Sequence, residues 1–454
     1  MKTNAKREMV LTEGPIAGNL LRFTVPFLFA ILLQNLYGIV DTLIIGNFGS
    51  TAGLSAVSSG AQLLAVFTYF AIGLSSGGTV LVGQCIGAKD EKRAAKIVGN
   101  VIIDFAVVGL ILTFVAFVFS PQLLGLLNVP EEAMEQAVAY MKICSCGIPL
   151  IIGYNIVCAL LRAMGDSKSP LIFVGVACLV NICGDYLLTG RLGMGAMGVA
   201  ISTVCAQGVS FIYSLIFISK RGMAFPFSMK DIRFHGETTA SILKVGIPIG
   251  IQSILVNISF MFITAIINSM GLTASAAMGI GDKIVEFAFI PQNAFTSSVS
   301  VIVAQNFGAK QYDRAKKSVR YAMTVCLSIG LVFLAICQFA PWLFPSIFTD
   351  DAAVIELAGQ YMRAYSIDAV FTSITFCLAG MLNGCGKTTY NMAQNLITTF
   401  LVRVPLTWIL SKLPNANLFI IGCASPASSF ISVILLALYI KSGRWKQSEK
   451  QAIP

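Results

Sequence analysis

Histidine and charged side chains are scarce in this chain. Its 454 residues include one histidine, His235, and only 11% are Asp, Glu, Lys or Arg, whereas soluble domains carry about 25% charged residues. So little charge excludes a large soluble protein, which would need far more polar surface. The twelve cysteines show no metal-type spacing, so neither a metal site nor a cofactor is expected. Without paired histidines, the chain is not predicted to be an enzyme.

Long apolar runs take the place of the missing charge. Hydrophobic residues make up 56% of the chain and the mean hydropathy is +0.81. Apolar stretches of about 20 residues recur from end to end, and each can cross a hydrocarbon core of roughly 30 Å. They predict an all-α integral membrane protein with twelve transmembrane helices. The predicted spans are residues 16–45, 53–83, 97–119, 137–161, 169–190, 196–219, 241–269, 275–305, 319–340, 358–382, 389–411 and 418–440.

Most Lys and Arg residues fall in alternate connections between these spans. They cluster in the N-terminal arm, after every even-numbered span and in the C-terminal tail. The opposite connections are short or acidic, as at Glu131 with Glu132 and at Asp350 with Asp351. The positive-inside rule then places both termini in the cytoplasm and the chain in the plasma (inner) membrane. The net charge of +10 is therefore a topology signal, and no nucleic-acid partner is expected.

The chain contains an internal duplication. Residues 83–96, GQCIGAKDEKRAAK, reappear as residues 304–317, AQNFGAKQYDRAKK, at a constant offset of 221. Convergence on this many identities at one offset is improbable, so the pattern indicates a repeat. An even number of spans per copy gives both copies the same orientation and a pseudo-twofold axis along the membrane normal. The predicted domains are an N-lobe (1–219), a cytoplasmic linker (220–240) and a C-lobe with a cytoplasmic tail (241–454).

Two carboxylates are expected at similar depth in the first lobe. Asp41 lies about 28 Å along the helix axis beyond Arg22, and Asp185 lies about 25 Å beyond Lys168. Asn181 precedes Asp185 by four residues and shares its helix face. An ionisable group inside a span is costly and is a functional candidate by default. The three side chains are predicted to form a cation-coupling site, since two neighbouring carboxylates in apolar surroundings suit the binding of a proton or Na⁺.

The second lobe has charged residues of its own. Asp368 and Arg403 fall at the outer half of adjacent spans, and a salt bridge between them is expected to be structural. Span 8 carries Asp282, Lys283 and Glu286. Lys283 and Glu286 are three residues apart and can pair along their own helix.

Two further sets of polar side chains lie within the spans. Asp104 is only eight residues from Lys96 and is expected to face water at the inner side. The uncharged polar residues have Phe and Met neighbours, whose side chains can repack around bulky, partly apolar substrates. An ordinary hydrogen bond between helices is the alternative for each of them. The candidate substrate-cleft residues are Gln34, Asn35, Tyr37, Gln62, Asn155, Gln252, Asn257 and Gln292.

The repeated GQxxGAKxxxRAxK-like element and the early prolines of spans 1 and 7, Pro26 and Pro248, resemble the multidrug and toxic compound extrusion (MATE) family. The likeness covers nearly the whole chain. It implies a secondary antiporter that exports drugs and other organic cations against H⁺ or Na⁺ by alternating access. Membrane lipid is the expected surrounding, and a monomer is the expected form.

The resemblance also bears on the coupling site. Asp41 and Asn181-xxx-Asp185 look like the N-lobe polar site of the DinF-type branch of the family. The NorM-type branch uses a glutamate in span 7, but Val256 or Asn257 stands near that place here. Asp368 is about one turn nearer the outside than that branch's second acidic residue. Protonation of the N-lobe pair is therefore favoured over a Na⁺ site in the C-lobe.

Two other functions are open at this point. A lipid-linked saccharide flippase of a related superfamily predicts a more cationic central cavity and often extra helices. A membrane-embedded enzyme requires a catalytic set that a single histidine in a polar linker does not supply. Efflux of drugs or metabolites is the leading hypothesis.

Overall fold

The computed structural model describes residues 10–446, and the elements assigned in that range are all helical. The first repeat consists of α1 (Ile16–Phe48), α2 (Thr51–Gly87), α3 (Glu91–Val118), a short α4 (Ser120–Leu126), α5 (Glu131–Ala163), α6 (Lys168–Asp185) and α7 (Gly195–Arg221). A π-helical turn, Tyr186–Arg191, follows α6, and a 3₁₀ turn, Met229–Asp231, lies between the repeats.

The second repeat has a similar succession of long helices, with two additional short helices after its π turn. It consists of α8 (Gly236–Asn268), α9 (Leu272–Gly308), α10 (Tyr312–Phe339), α11 (Ala352–Gly384), α12 (Thr388–Leu396), a π-helical turn (Ile397–Arg403), α13 (Val404–Ser411), α14 (Leu418–Gly422) and α15 (Ala424–Lys441). Short 3₁₀ turns lie at Pro345–Ile347 and Arg444–Lys446.

Within residues 10–446, eleven helical stretches are long and apolar enough to cross a membrane. The remaining predicted span, 389–411, is helical throughout but is divided by the π turn into α12 and α13, each shorter than a full span. The prediction of an all-α integral membrane fold is confirmed.

Several helices begin earlier than their hydropathy predicts. The third predicted span starts at residue 97, but α3 starts at Glu91, where the side chain of Asp90 accepts a hydrogen bond from the backbone N–H of Arg93. Asp351 caps α11 in the same way, and that helix begins at Ala352, six residues before the predicted start of the span. Hydropathy marks only the part of a helix that can lie in hydrocarbon, whereas a capping side chain marks where the helix begins.

The duplication is visible in backbone detail. Lys89 and Lys310, at the same place in the two repeats, both adopt a left-handed conformation, with φ of 58° and 57°. In both repeats a tyrosine ring covers a glycine on a neighbouring helix: a Cβ on Gly60 would lie 2.4 Å from the ring of Tyr140, and one on Gly281 would lie 2.7 Å from that of Tyr361. Each of these glycines is required because any side chain would meet the ring.

The chain forms two compact units. Among the described residues, unit 1 contains Arg22–Gly250, and unit 2 contains Leu11–Leu21 together with residues 251–446. The boundaries between these compact units fall inside α1 and α8. The division into an N-lobe, a linker at 220–240 and a C-lobe stays a prediction. The start of α1 is grouped with the second repeat, and the start of α8 is grouped with the first.

In unit 1, α3 holds the segment that leads into α8. Asn100 accepts a hydrogen bond from the backbone N–H of His235 (2.6 Å) and donates to Asp104 (2.8 Å) and Thr239 (2.7 Å). Thr239 also donates to Asp104 at 2.8 Å. The expectation that Asp104 faces water is wrong: it is 7% exposed. Its carboxyl group instead accepts the hydrogen bonds that join α3 to the start of α8.

In unit 2, Arg314 holds the segment that leads into α1. Its guanidinium donates to the carbonyl oxygens of Glu13 (2.7 Å) and Gly14 (2.8 Å), and to that of Leu11 at 3.4 Å. Asn306 also donates to the carbonyl of Leu11, at 3.3 Å. Arg314 belongs to the repeated sequence element, so one of the basic residues that both copies share has a structural role.

Candidate functional site

Unit 1 buries three polar side chains that the sequence singled out. Asp41 lies in the C-terminal third of α1 and is 8% exposed, while Asn181 and Asp185 lie in the last turns of α6 and are 1% and 0% exposed. Four residues separate Asn181 from Asp185, so both project from one face of α6. The helix positions thus place three oxygen-bearing side chains in the same buried region.

The carboxyl groups of Asp41 and Asp185 are close enough to share a hydrogen bond, and Asn181 is a further neighbour of Asp41. An ionised carboxylate has no donor. A hydrogen bond between the two acids therefore requires one of them to carry a proton. The predicted proximity of Asp41 and Asp185 is found in the structure.

Ser202 of α7 is a fourth member of this site. It is 1% exposed, and its hydroxyl donates a hydrogen bond to Oδ1 of Asp185. The approach of α7 to α6 depends on Gly184, since a Cβ at that position would lie 2.7 Å from the Cβ of Ser202. Glycine next to Asp185 is thus what lets the serine reach the acid.

Several polar atoms of the site have no hydrogen-bond partner. They are Oδ1 of Asp41, Oδ2 of Asp185, and both the oxygen and the nitrogen of the Asn181 amide. Buried polar groups are nearly always hydrogen-bonded, and an unsatisfied one costs about 1–3 kcal/mol. Free acceptor oxygens next to each other are the feature expected of a site that takes up a cation.

A polar extension runs from this site along α1. Tyr37 lies one helical turn before Asp41, and its hydroxyl interacts with the side chains of Gln34 and Gln207; the amide of Gln207 donates to it at 3.5 Å. A narrow crevice opens here. Its lining residues are Tyr37, Ala177, Asn181, Thr203, Ala206 and Gln207.

The local backbone is unusual directly after Asp185. The helix continues from Asp185 into the π-helical turn Tyr186–Arg191. Isolated π turns are rare and are often found at functional sites. The wider turn changes the direction of the side chains that follow the acid.

Two carboxylates, an amide oxygen and a hydroxyl make a set of hard oxygen donors. Such a set can hold a proton between the acids or coordinate a small cation such as Na⁺. Among residues 10–446, no group of three or more His, Cys, Asp or Glu side chains is arranged to hold a metal ion.

The candidate cleft residues are distributed over both units. In unit 1, Gln34 and Tyr37 are brought together, whereas Asn155 donates to the carbonyl of Ile151 in its own helix, at 2.8 Å. In unit 2, Asn257 likewise donates to Ser253 of its own helix. Of the remaining candidates, Gln62 is exposed, Asn35 and Gln252 are half-buried, and Gln292 is 1% exposed.

The charged residues of unit 2 are arranged differently from the expectation. Arg403 donates from Nη2 to the hydroxyl of Tyr365 at 2.6 Å. Asp368 interacts with Arg403 electrostatically, but the expected direct salt bridge is not among the ion pairs of residues 10–446. The predicted pairing of Lys283 with Glu286 is confirmed, with Nζ 3.1 Å from Oε2. Both of those side chains are exposed.

Asp282 is half-buried and interacts electrostatically with Arg403 and Lys283. It therefore belongs with the interior charges of unit 2, unlike the exposed Lys283–Glu286 pair beside it.

Two of the polar partners described here were not predicted from the sequence. Ser202 is one of many small polar residues in α7, and Tyr365 is one of twelve tyrosines. No sequence motif distinguishes either of them. Each becomes a partner only because of the helix that packs against it.

Comparison with known proteins reproduces the duplication. The sequence model of the MatE family matches residues 26–187 and again residues 248–409. The probable multidrug resistance protein YpnP of Bacillus subtilis (strain 168) is 28% identical over 441 residues, which is 96% of this chain and 97% of YpnP. The probable multidrug resistance protein YoeA of the same organism is 24% identical over 434 residues, 94% of each chain.

Solved structures support the same fold. A multidrug resistance MATE family transporter in an outward-facing conformation superposes with a TM-score of 0.91 at 20% identity, covering 99% of this chain and 100% of that one. A MOP superfamily transporter from Pyrococcus furiosus gives a TM-score of 0.90 at 20% identity with the same coverage. The predicted fold of twelve spans in two lobes is confirmed.

Proposed function

Because the chain belongs to the MatE family of multidrug efflux transporters, we propose that it is a secondary antiporter that exports organic, often cationic, compounds in exchange for protons. Sodium ions are the alternative coupling ion. Transport occurs by alternating access in the plasma (inner) membrane. The protein works as a monomer with both termini in the cytoplasm, surrounded by membrane lipid.

The buried pair of acids in unit 1 is the observation that carries this proposal. Asp41 and Asp185 come from different helices, α1 and α6, and have unpartnered oxygens beside Asn181. Two like charges so close in an apolar interior repel one another unless a proton or a cation is bound between them. Binding and release therefore change the forces between the helices that carry the acids, which is the requirement for coupling to a conformational cycle.

The class of substrate rests on the relatives and on the chemistry of the cleft candidates. The relatives YpnP and YoeA are both named as probable multidrug resistance proteins. Neutral amides with aromatic and methionine neighbours accommodate varied apolar cations. No observation favours the flippase or the membrane enzyme.

Asp41→Asn tests the coupling directly. We expect it to abolish ethidium efflux driven by an imposed pH gradient in proteoliposomes, because an amide of the same shape cannot take up a proton. Glu286→Gln, in an exposed ion pair, is the matched control and should transport like the unchanged protein. Imposing a Na⁺ gradient in parallel identifies the ion. Full efflux by Asp41→Asn would refute coupling at this site.

The orientation is tested with reporter fusions. A green fluorescent protein fused after the tail should fluoresce, because it folds in the cytoplasm. Alkaline phosphatase inserted at Asn128, in a connection on the opposite side, should be active because it requires export. The reverse pattern of activities would contradict the orientation proposed from the basic loops.

A further inference from the structure

Arg403 is a half-buried cation in unit 2, at the end of the π turn Ile397–Arg403. Its Nη2 donates to the hydroxyl of Tyr365 at 2.6 Å, and its guanidinium carbon lies 4.2 Å from the centre of the Phe260 ring. Its Nε has no hydrogen-bond partner. Aromatic groups thus hold the cation in place, and no ion pair of residues 10–446 includes it.

Asp368 on α11 is the buried acid that this cation faces. It is 3% exposed, its Oδ1 has no hydrogen-bond partner, and it interacts electrostatically with Arg403. Ser425 and Ser429 of α15 lie beside the carboxyl group within hydrogen-bonding reach. A buried carboxylate is strongly disfavoured unless it takes up a proton or a compensating positive charge lies nearby.

The two units therefore differ in how their buried acids are compensated. In unit 1, two acids face each other, and no cationic side chain of the described residues is among the interaction partners of Asp41 or Asp185. In unit 2, the positive charge near the acid Asp368 belongs to a side chain of the protein, that of Arg403. Asp282 lies within the same electrostatic environment, since it interacts with both Arg403 and Lys283.

We propose that Arg403 is the resident cation of unit 2, standing in for a mobile ion that Asp368 would otherwise bind. Unit 2 then binds no Na⁺, and all cation exchange takes place in unit 1. This extends the proposed function by assigning the coupling ion to one unit, and it specifies what Arg403 does there.

The oxygens around Asp368 make the proposal testable. With the guanidinium removed, the carboxylate is left beside the hydroxyls of Ser425, Ser429 and Tyr365. Carboxylate and hydroxyl oxygens are suitable ligands for a hard cation such as Na⁺. Loss of the arginine should therefore create a Na⁺ site that the unchanged unit 2 lacks.

The test measures binding of radioactive sodium to purified full-length protein, with choline as the replacement cation at constant ionic strength. The background is Asp41→Asn with Asp185→Asn, which neutralises the acids of unit 1. That background should show no saturable sodium binding. Adding Arg403→Gln should raise bound sodium from background to about one ion per chain. Adding Asp368→Asn to that variant should remove it again.

Arg403→Lys is the matched control, because a lysine keeps the positive charge and should keep sodium out. If Arg403→Gln is not recovered as folded protein, Arg403→Met, whose apolar stem still packs on Phe260, carries the same test. Two results would overturn the proposal: Asp368-dependent sodium binding while Arg403 is intact, or no gain in a folded variant without the guanidinium. Since binding is measured without transport, either result leaves coupling at Asp41 to be judged by efflux alone.

Discussion

A single hydroxyl group, that of Ser202, is the only hydrogen-bond donor from α7 to the buried acid Asp185. A hydrogen bond to a charged group is worth about 1.5–3 kcal/mol. The same hydroxyl lies 3.4 Å from the backbone carbonyl of Asn181. Ser202 therefore joins α7 to the carboxyl group of Asp185 and to the backbone of Asn181.

Ser202→Ala should lower pH-driven efflux by roughly 10-fold, because about 1.4 kcal/mol of stabilisation of the charged state corresponds to that factor. The variant should still fold, since one small side chain replaces another. Ser210→Ala is the matched control: Ser210 is equally buried in α7, but its hydroxyl donates to the backbone carbonyl of Phe173 (2.9 Å). Equal efflux by both variants would exclude a specific role for Ser202.

For single residues, the sequence predicts the charged side chains of the site but not all of the side chains that form hydrogen bonds with them. Asp41 and Asp185 are identifiable because acids are rare in spans, and their depth follows from the rise per residue. The partner of Arg403 was predicted as Asp368, but the guanidinium bonds to Tyr365. Which of two nearby acceptors an arginine reaches depends on helix rotation, and the π turn at Arg403 alters that rotation.

Among the helices, α3 has the most specific polar connection to a neighbouring segment. Gly99 permits the 3₁₀ turn before α8 to lie against α3, since a Cβ there would be 2.0 Å from the carbonyl oxygen of Asp231. The next residue, Asn100, satisfies the backbone N–H of His235 and the side chains of Asp104 and Thr239. Backbone contact and side-chain hydrogen bonds thus anchor the segment together.

Asn100→Ala should destabilise the protein by about 3 kcal/mol, because it removes one of the two hydrogen bonds to the buried Asp104 and leaves the backbone N–H of His235 without its partner. The midpoint of thermal unfolding in detergent should fall, and trypsin should cut sooner at Lys230 and Arg233. Asn155→Ala is the control, because the Asn155 amide bonds only within its own helix. Unchanged trypsin sensitivity in Asn100→Ala would show that α3 does not hold this segment.

The elements themselves differ in how well their sequence predicts them. Apolar length identified every span, but it could not show that α12 and α13 are separated by a π turn, because the extra residue of a π turn leaves no mark in hydropathy. The junction at Asp104 was also beyond prediction. The proximity of Asp104 to Lys96 indicated water, whereas the start of α8, which is distant in sequence, contacts its carboxyl group.

Over the whole molecule, the two copies share even an unfavourable left-handed backbone conformation at one position. Lys89 and Lys310 both have positive φ, which costs a residue with a Cβ about 1 kcal/mol. In both copies the backbone N–H of the next residue, Asp90 or Gln311, bonds to a carbonyl of the preceding helix at 2.9 and 2.8 Å. The same turn therefore ends α2 and α9.

Lys89→Gly and Lys310→Gly should each stabilise the protein by up to about 1 kcal/mol, because glycine adopts this conformation without strain. The two gains should be similar and additive, as the sites lie in different units. Lys317→Gly, within helix α10, should instead lower the unfolding temperature. The measurement is thermal unfolding in one detergent. A loss at both left-handed positions would contradict the strain argument.

Fold and topology were predictable because they depend on composition and on a repeat, both of which are properties of the chain as a whole. The limits of the two compact units could not be predicted in this way. Hydropathy separates the lobes at the polar linker, whereas packing groups Leu11–Leu21 with the second repeat and residues 236–250 with the first. Contacts such as those of Arg314 with the chain before α1 decide this, and no local pattern reveals them.

This exchange of helix beginnings has a consequence for producing one repeat without the other. A fragment that ends before α8 would contain Leu11–Leu21 but would lack the second repeat with which those residues are grouped. A fragment that starts at α8 would contain residues 236–250 but would lack the first repeat. Neither half is therefore expected to be complete when produced alone.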